Sequence, residues 1–491
     1  MSAYESKRCG GGSAARGRPV LFALLLAVLA AGCDFLDPTE VENPRTTDED
    51  LATAEEPVRA LLPGLRAQFA RALGSKVVVS EVVSDNYSVQ GTGIPRQWDN
   101  PRGIRADILN QTSATLGKYW NSQELRALAD FILDDIAPVD DAATNRQLAE
   151  AHFYRGMAYL FQGANFTHVP TEADGTPRPA EELLARALDD LQQSLTLAAD
   201  EDFSVAARGG IARAHRLLGD GPAAIQAAQD ALAGGAEFFY GQIYDSSNLP
   251  NAPNNFLVQR ALKEMQPLPR LDFLDPKYVS RESEIPVSKA EEMHLIMAEA
   301  TLAGGDVSTA QEHLADAIEL ARTRPVEFWV DDDPRFNDDL SPRPRSSDIL
   351  VRADPDSPFR AGLVLDRPDV EIPVPYISAT SLDADSIRGL TDETEVWHSL
   401  HLARQEILIV EGQRMSDLGI RLPMMEREID TNPNVSSGDP GTEVVVPDYI
   451  PTGERMNQFD PQSPAEGETE VTIRYDMNRI LTQNQVSPFL N

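Results

Sequence analysis

Cysteine and aromatic residues are scarce in this chain of 491 residues. Only two cysteines occur, Cys9 and Cys33, and aromatic residues make up 7% of the sequence, with four tryptophans. A chain with so few thiols cannot build the disulfide framework of a small secreted domain. The low aromatic content means that an aromatic-rich binding cleft is not required.

Basic residues are also few relative to acidic ones. The chain has 43 lysines and arginines against 78 aspartates and glutamates, which gives a formal net charge of −35. A surface this acidic repels phosphate backbones, so we expect no binding to nucleic acid. The ordinary interpretation of such a charge is a solubility adaptation rather than a dedicated cation site.

No catalytic or cofactor motif occurs in the sequence. We find no His-Glu-x-x-His, no Gly-x-Ser-x-Gly, no phosphate-binding loop and no Gly-x-Gly-x-x-Gly. His398 and His401 are spaced for one helix face, but a structural role is expected of both. The acidic run 331–333 lacks the alternating ligands and glycine of a calcium loop. We therefore predict that the protein is not an enzyme and that it binds no cofactor or metal. No motif supports a structural calcium site.

The N-terminal segment predicts export with a lipid anchor. Four basic residues precede the apolar run 20–31, VLFALLLAVLAA, which is too short to span a bilayer, and small residues lead directly to Cys33. This resembles the lipobox of bacterial lipoproteins, in which the cysteine is lipidated and becomes the new N-terminus. We therefore expect a signal peptide over 1–32, lipidation of Cys33 and a polar tether over 33–50. The membrane would be reached by the lipid alone.

Two helical hairpins in the chain repeat each other. Residues 205–233 and 290–321 each read as two short amphipathic helices around a Gly-Asp turn, and small residues recur at matching positions. A looser copy covers 148–198. Small residues at these spacings let antiparallel helices approach closely, as in tetratricopeptide-type repeats.

These patterns predict a mostly α fold for 51–491, a single domain with tetratricopeptide-type helical repeats, long loop-rich insertions and a few short strands. The repeat pairs are expected around 148–233 and 289–322, and a further helix over 397–418. Long insertions are where binding surfaces are expected. The predicted loop-rich insertions are 74–103, 234–288 and 324–395.

Five ordered motifs resemble the SusD/RagB-like nutrient-uptake lipoproteins of bacterial outer membranes. They are 33–37 (CDFLD), 149–159 (AEAHFYRGMAY), 289–300 (KAEEMHLIMAEA), 404–418 (RQEILIVEGQRMSDL) and 481–484 (LTQN). The third and fourth cover a repeat helix and the last long helix. Met415 stands where the family usually has an aromatic residue, so the resemblance implies a divergent member.

The resemblance implies a helical scaffold beneath a variable, loop-rich face. It also implies a lid role on a SusC-like, TonB-dependent outer-membrane transporter, with capture of a glycan or peptide outside the cell. The alternative is a helical-repeat lipoprotein of the envelope that acts as a protein-binding scaffold or adaptor. A surface glycosidase or peptidase has no positive feature beyond abundant carboxylates.

A loop with two aromatic residues is the predicted ligand site. Sugar rings stack on aromatic faces, while amides, carboxylates and guanidinium groups satisfy their hydroxyls. The stretch 86–100 is rich in glycine and amides and carries two aromatics, and a third aromatic candidate lies in 327–329. The predicted ligand-binding residues are Tyr87, Arg96, Trp98, Asp99, Asn100 and Trp329.

Overall fold

Helical hairpins form most of the protein. The computed structural model describes residues 55–89, 96–258, 264–330, 346–365, 371–453, 455–462 and 469–490. The predicted signal peptide, Cys33 and the tether lie outside the described residues. So does the acidic run 331–333. The helices are α1 (Pro57–Val83), α2 (Lys118–Asp130), α3 (Asn145–Asn165), α4 (Ala180–Leu197), α5 (Ser204–Leu217), α6 (Gly221–Leu232), α7 (Ala290–Ala303), α8 (Val307–Thr323), α9 (Ala384–Arg388), α10 (Glu393–Ile407), α11 (Arg414–Asp417), α12 (Glu426–Thr431) and α13 (Met477–Gln483).

Consecutive helices pack as antiparallel pairs, and the pairs stack on one another. The pairs are α1 with α2, α3 with α4, α5 with α6 and α7 with α8, and α4 contacts α5 while α6 contacts α7. Helix α10 closes the stack by packing on α7 and α8. The prediction of a mostly α fold built from helical-repeat pairs is confirmed.

The two matching hairpins turn in the same way. Gly219 and Gly305 both adopt a positive φ, of 75° and 83°. This backbone conformation is accessible to glycine and strained for residues with a side chain. Asp220 and Asp306 follow them, and each side chain accepts a hydrogen bond from the backbone N–H three residues later. This N-cap satisfies one of the free donors at the start of the second helix. Local chemistry that the sequence displays therefore sets both turns.

Small side chains make the helix interfaces. Ala224, Ala228 and Ala231 on α6 are fully buried against α5 and α7, and the matched positions on α8, including Ala310 and Leu314, are buried in the next layer. A larger cluster surrounds α1 to α4. Burial of these apolar side chains supplies the main stabilisation of the helix stack, at about 25 cal/mol per Å² of apolar surface removed from water.

The strands are short and lie in the segments between helices. In the described residues they are β1 (Tyr87–Val89), β2 (His168–Val169), β3 (Arg178–Pro179), β4 (Phe239–Gln242), β5 (Met265–Pro267), β6 (Ile285–Lys289), β7 (Val326–Val330), β8 (Leu350–Arg352), β9 (Glu371–Pro375), β10 (Phe459–Gln462) and β11 (Glu470–Ile473). Two-stranded antiparallel ladders pair β1 with β5, β2 with β3, β4 with β6 and β7 with β9, and β11 pairs antiparallel with β10 and parallel with β8.

The predicted helix 397–418 is not one helix. Helix α10 ends at Ile407, the chain turns, and α11 resumes at Arg414. Gly412 has φ +72°, and its N–H donates to the buried Glu81 carboxylate at 3.0 Å. The break was missed because the apolar pattern runs through it, while the contact that fixes it comes from a helix far away in the chain.

The first predicted insertion, 74–103, begins too early. Helix α1 continues through Val83, and nearly every residue from Gly74 onward is buried. The sequence there is rich in valine, which disfavours helix slightly, but a helix that is buried on all sides is stabilised by its tertiary contacts. Helix α9 and the start of α10 likewise lie within the predicted insertion 324–395. Among the described residues, no helix is both long enough and apolar enough to cross a bilayer.

Candidate functional site

A polar groove of about 850 Å³ lies on the surface of the first helical pairs. Helix α2 and the π-helical turn Phe131–Ile136 that extends it form one wall, and α3 and α4 form the rest, with the loop 171–173 at one side. All these walls except the loop are helical, so the groups that line the groove sit on rigid elements. Its volume is in the range of small-molecule sites in proteins.

Arg155 organises the floor of the groove. It lies on α3, and its Nε donates to both carboxylate oxygens of Asp190 at 3.0 Å, while Nη1 donates to Asp134 Oδ1 at 3.1 Å. His152 Nδ1 lies 2.8 Å from the same Asp190 carboxylate. Burial acts to lower the pKa of Arg155, but the bonds and charge of Asp190 outweigh it and raise the pKa. The guanidinium is therefore a fixed positive charge that ties α3 to α4.

A second arginine clamps α2 to the loop beside it. Arg126 Nη1 donates to the Asp130 carboxylate one turn later and to the backbone oxygen of Thr171 at 2.5 Å. Burial raises the pKa of Asp130, while the charges of Arg126 and Arg155 oppose that shift. Both clamps use internal partners, so they fix the shape of the groove and leave other groups to meet a ligand.

Exposed acceptors line the rim. Asp134, Asp135, Asp189 and Glu172 are exposed, as is the Gln193 amide. A hydroxyl-rich ligand can donate hydrogen bonds to these carboxylates, and charge-assisted hydrogen bonds are the stronger ones.

The groove also offers apolar surface. Phe131 is half-buried on the π-helical turn, and turns of this type occur frequently at functional sites. The guanidinium of Arg186 lies 5.9 Å from the ring centre of Tyr159, which is almost wholly buried. The exposed part of Phe131 is therefore an apolar surface available to a ligand in the groove.

The structure corrects the predicted aromatic platform. Tyr87 and Trp98 have no exposed surface, and Asp99 is 5% exposed. The Tyr87 hydroxyl donates to Asp275 at 3.0 Å, and Asp99 pairs with Arg455 at 2.8 Å. These three predicted residues do come together, but as part of the core beside α1. Their aromatic faces are used for packing and cannot stack on a ligand.

The other predicted ligand residues are separated from one another. Arg96 and Asn100 are exposed at the two ends of the short turn that contains Trp98. Trp329 lies in β7, in the β7–β9 ladder, and is half-buried beside the exposed Phe328. Ligand contact by Arg96, Asn100 and Trp329 stays a prediction.

Motif residues that the sequence singled out serve the interior. Glu411, in the motif 404–418, accepts from Lys277 at 2.6 Å and also from Lys289, so it is a brace between segments. His398 Nε2 lies 3.0 Å from Asp476, and His401 is buried, which lowers its pKa to about 3. The histidines therefore have the structural environment expected of them.

The groove was missed because its residues share no short motif. They come from three helices and a loop spread over residues 126–193. A signal was nevertheless present, since two pairs of adjacent aspartates, 134–135 and 189–190, fall on the two helical segments that face each other. The sequence prediction placed the ligand site at aromatic residues in a loop. In the structure, the groove is lined mainly by polar residues on helices.

Comparison with known proteins gives matches among solved structures. No protein-family model matches the chain, and no curated protein sequence matches it. A SusD-like carbohydrate-binding protein from Bacteroides vulgatus is 13% identical, with a TM-score of 0.48 over 85% of this chain and 89% of that one. A SusD superfamily protein from Bacteroides fragilis is 14% identical, with a TM-score of 0.47 over 90% and 100%. A SusD homolog from Bacteroides thetaiotaomicron is 12% identical, with a TM-score of 0.49 over 76% and 88%. The family name of these solved structures is the one that the sequence motifs indicated.

Proposed function

We propose that this protein is a non-enzymatic binding lipoprotein of a bacterial outer membrane, and that it captures an oligomeric nutrient and passes it to a TonB-dependent transporter. The observation that carries the binding role is the groove between α2, α3 and α4, with its rigid walls and exposed acceptors. A neutral glycan is the ligand that these groups suit best. A peptide is the other candidate from the sequence.

The charge of the groove supports this ligand class. Its lining includes the three arginines 126, 155 and 186 against six carboxylates, at 130, 134, 135, 172, 189 and 190. An acidic lining repels anionic ligands such as uronate-containing glycans. It accepts hydrogen bonds from neutral hydroxyls without a like-charge penalty.

Two of the six carboxylates are engaged in structural pairs. Asp130 and Asp190 are held by Arg126 and Arg155. A glycosidase needs one carboxylic acid and one free carboxylate placed on either side of the scissile bond. Asp130 and Asp190 do not supply such a pair, because their role is to fix the shape of the groove.

The binding site is tested with the lipid-free chain, residues 34–491, against panels of neutral polysaccharides, acidic polysaccharides and peptides. The best ligand is then titrated calorimetrically into Asp189→Ala and Phe131→Ala. We expect each to weaken binding by about tenfold, a loss of about 1.4 kcal/mol, with the melting temperature of Asp189→Ala unchanged. Asp200→Ala, an exposed aspartate outside the groove, is the matched control. Loss of binding in Asn100→Ala or Trp329→Ala, with groove variants unaffected, would move the site to the predicted loops.

The anchor and the partner need a separate experiment. We propose that Cys33 carries the lipid, so Cys33→Ser should shift the protein from the membrane fraction to the soluble fraction. The wild-type protein is then purified from native membranes in mild detergent, and its partners are identified by mass spectrometry. A stoichiometric TonB-dependent barrel would support the uptake role. Other envelope proteins without such a barrel would favour the scaffold or adaptor alternative.

A further inference from the structure

Two histidines and an aspartate converge between the helices of the α7–α8 pair. His294 lies on α7, and His313 and Asp316 lie three residues apart on one face of α8. One donor atom from each residue lies within 4.8 Å of the other two. His294 Nδ1 is 3.7 Å from Asp316 Oδ2, and the two imidazole rings are 6.3 Å apart.

The ring nitrogens lack hydrogen-bond partners. Nδ1 of His294 and Nδ1 of His313 are both buried, and neither makes a hydrogen bond to any described residue. A buried polar atom without a partner is costly, so most such atoms in folded proteins are satisfied. Two of them beside one carboxylate are the arrangement that a bound cation would satisfy.

The charges around the two rings favour a cation. The carboxylates of Asp316 and Asp306 lie near His313 and make the surroundings negative. Neutral imidazole nitrogens are common metal ligands. Arg388 is the one competing cation that we find within reach in the described structure, 4.0 Å from Asp316 Oδ1.

Arg388 is itself engaged by other carboxylates. Its Nε donates to Glu312 at 3.0 Å and its Nη1 to Glu319 at 2.6 Å. Asp316 is therefore held only weakly by this guanidinium and can turn toward the histidines.

We propose that His294, His313 and Asp316 form a binding site for a divalent transition-metal ion of the zinc type. Imidazole nitrogen with one carboxylate favours such ions over calcium and magnesium, which prefer all-oxygen ligand sets. Three protein ligands leave a fourth position for water. Bonds of about 2.0–2.2 Å in tetrahedral geometry place the donor atoms roughly 3.4 Å apart, so the three side chains would move closer together when the ion binds. The ion cross-links α7 and α8.

The absence of a sequence signal is explained by the spacing. The two histidines lie on different helices and are separated by the turn at Gly305, so they form none of the short His-x-x-His-type motifs. The sequence therefore predicted no metal. This site depends on the hairpin, not on the groove, so it stands or falls independently of the proposed function.

Zinc chloride is the probe for this site. It is titrated into the metal-free chain, residues 34–491, by calorimetry and by competition with a chromophoric chelator. We expect one zinc per chain with micromolar or tighter affinity, a raised melting temperature with zinc, and no comparable effect of calcium. His313→Asn and His294→Asn should each weaken zinc binding by about tenfold or more. His215→Asn is the matched control, because His215 is also half-buried on a repeat helix with an unpartnered Nδ1.

Cobalt supplies a readout that does not depend on stability. Co²⁺ bound by two imidazoles and a carboxylate gives visible absorption bands, which should vanish in Asp316→Asn and persist in His215→Asn. Zinc binding of equal stoichiometry and affinity in the wild type and in His313→Asn would overturn the proposal. So would wild-type protein that binds no zinc at micromolar concentration.

Discussion

Arg414 and Asp85, 329 positions apart in the chain, form a buried ion pair with two hydrogen bonds. Arg414 Nε donates to Asp85 Oδ1 at 2.6 Å and Nη2 donates to Oδ2 at 2.8 Å. Gln405 Nε2 also donates to Oδ2, at 2.8 Å. The pair ties the segment after α1 to the short helix α11, so it joins parts of the fold that are far apart in the sequence.

Removal of one partner should destabilise the protein strongly. Asp85→Ala leaves the Arg414 guanidinium buried without its counter-charge, and such a loss costs about 3–5 kcal/mol of unfolding free energy. Urea denaturation of the lipid-free chain measures it. Asp107→Ala is the control, since Asp107 pairs with Arg105 on the surface, where a pair contributes about 0–1 kcal/mol. Equal losses in the two variants would show that the buried pair has no special role.

Gly412 is expected to tolerate no side chain. Its φ is +72°, and a Cβ there would lie 3.0 Å from the Val77 Cα and 3.2 Å from the Lys76 carbonyl oxygen. Gly412→Ala should cost about 2–3 kcal/mol, since left-handed strain and a backbone clash act together. Gly362→Ala separates these causes, because Gly362 has φ +73° and nothing within 4 Å of its Cβ position. That control should lose only about 1 kcal/mol in the same urea experiment, and an equal loss in both would contradict the clash.

The sequence predicted correctly those elements whose formation depends on residues close together in the chain. The α5–α6 and α7–α8 pairs follow from apolar periodicity and from Gly-Asp turns whose caps lie within three residues. Such features need no knowledge of the rest of the fold. The end of α10 could not be found in this way, because the carboxylate that receives the Gly412 N–H belongs to Glu81.

The candidate site was harder to find for the same reason. Tyr87 and Trp98 have the residue types of a ligand platform, but whether a ring is exposed depends on what packs over it. Here β5 pairs with the strand that holds Tyr87, and α1 packs against the turn that holds Trp98. Arg155 and Asp190 in the groove are ordinary helix residues in the sequence. Only the pairing of α3 with α4 brings them together.

Asp99 should make stability depend on pH. Burial raises its pKa to about 6, although Arg455 and Asn457 oppose the shift, whereas an unfolded aspartate titrates near about 3.9. The folded chain therefore binds more protons between those values, so the contribution of Asp99 is most favourable below about pH 4 and is lost as the pH rises through 6.

Comparison of wild type with Asp99→Asn isolates this effect. The unfolding free energy of the wild type relative to the variant should fall between about pH 4 and pH 6, by at most about 3 kcal/mol. Urea titrations across that range measure it. Asp200→Asn, an exposed aspartate, should follow the wild type. A difference between wild type and Asp99→Asn that is constant with pH would contradict the raised pKa.

All four lysines in the described part of the chain are buried. Lys76, Lys118, Lys277 and Lys289 are each no more than 4% exposed. Lys277 and Lys289 bond the Glu411 carboxylate, and Lys76 Nζ donates to the Glu411 backbone oxygen at 3.0 Å. Lys118 Nζ donates to Ser80 at 2.6 Å. The interior therefore uses lysine as an internal hydrogen-bond donor, and the described surface takes its positive charge from arginine.

These four amines should resist acylation while the protein is folded. Burial lowers the pKa of Lys76 to about 7 and that of Lys277 to about 8. At about pH 9 both amines are mostly neutral and intrinsically nucleophilic, so protection there reports burial rather than protonation. Acetic anhydride should leave all four unmodified in buffer and modify them in urea, with peptide mass spectrometry as the readout.

Glu411→Ala tests whether the carboxylate maintains that protection. Without it, Lys277 and Lys289 lose their shared partner, so their peptides should acylate faster than in the wild type, while Lys118, bonded to Ser80, stays protected. Lys118 is thus an internal control within the same molecule. Rapid native acylation of wild-type Lys277 or Lys289 would contradict the packing around Glu411. Faster acylation of all four in the variant would instead indicate global unfolding, which circular dichroism detects independently.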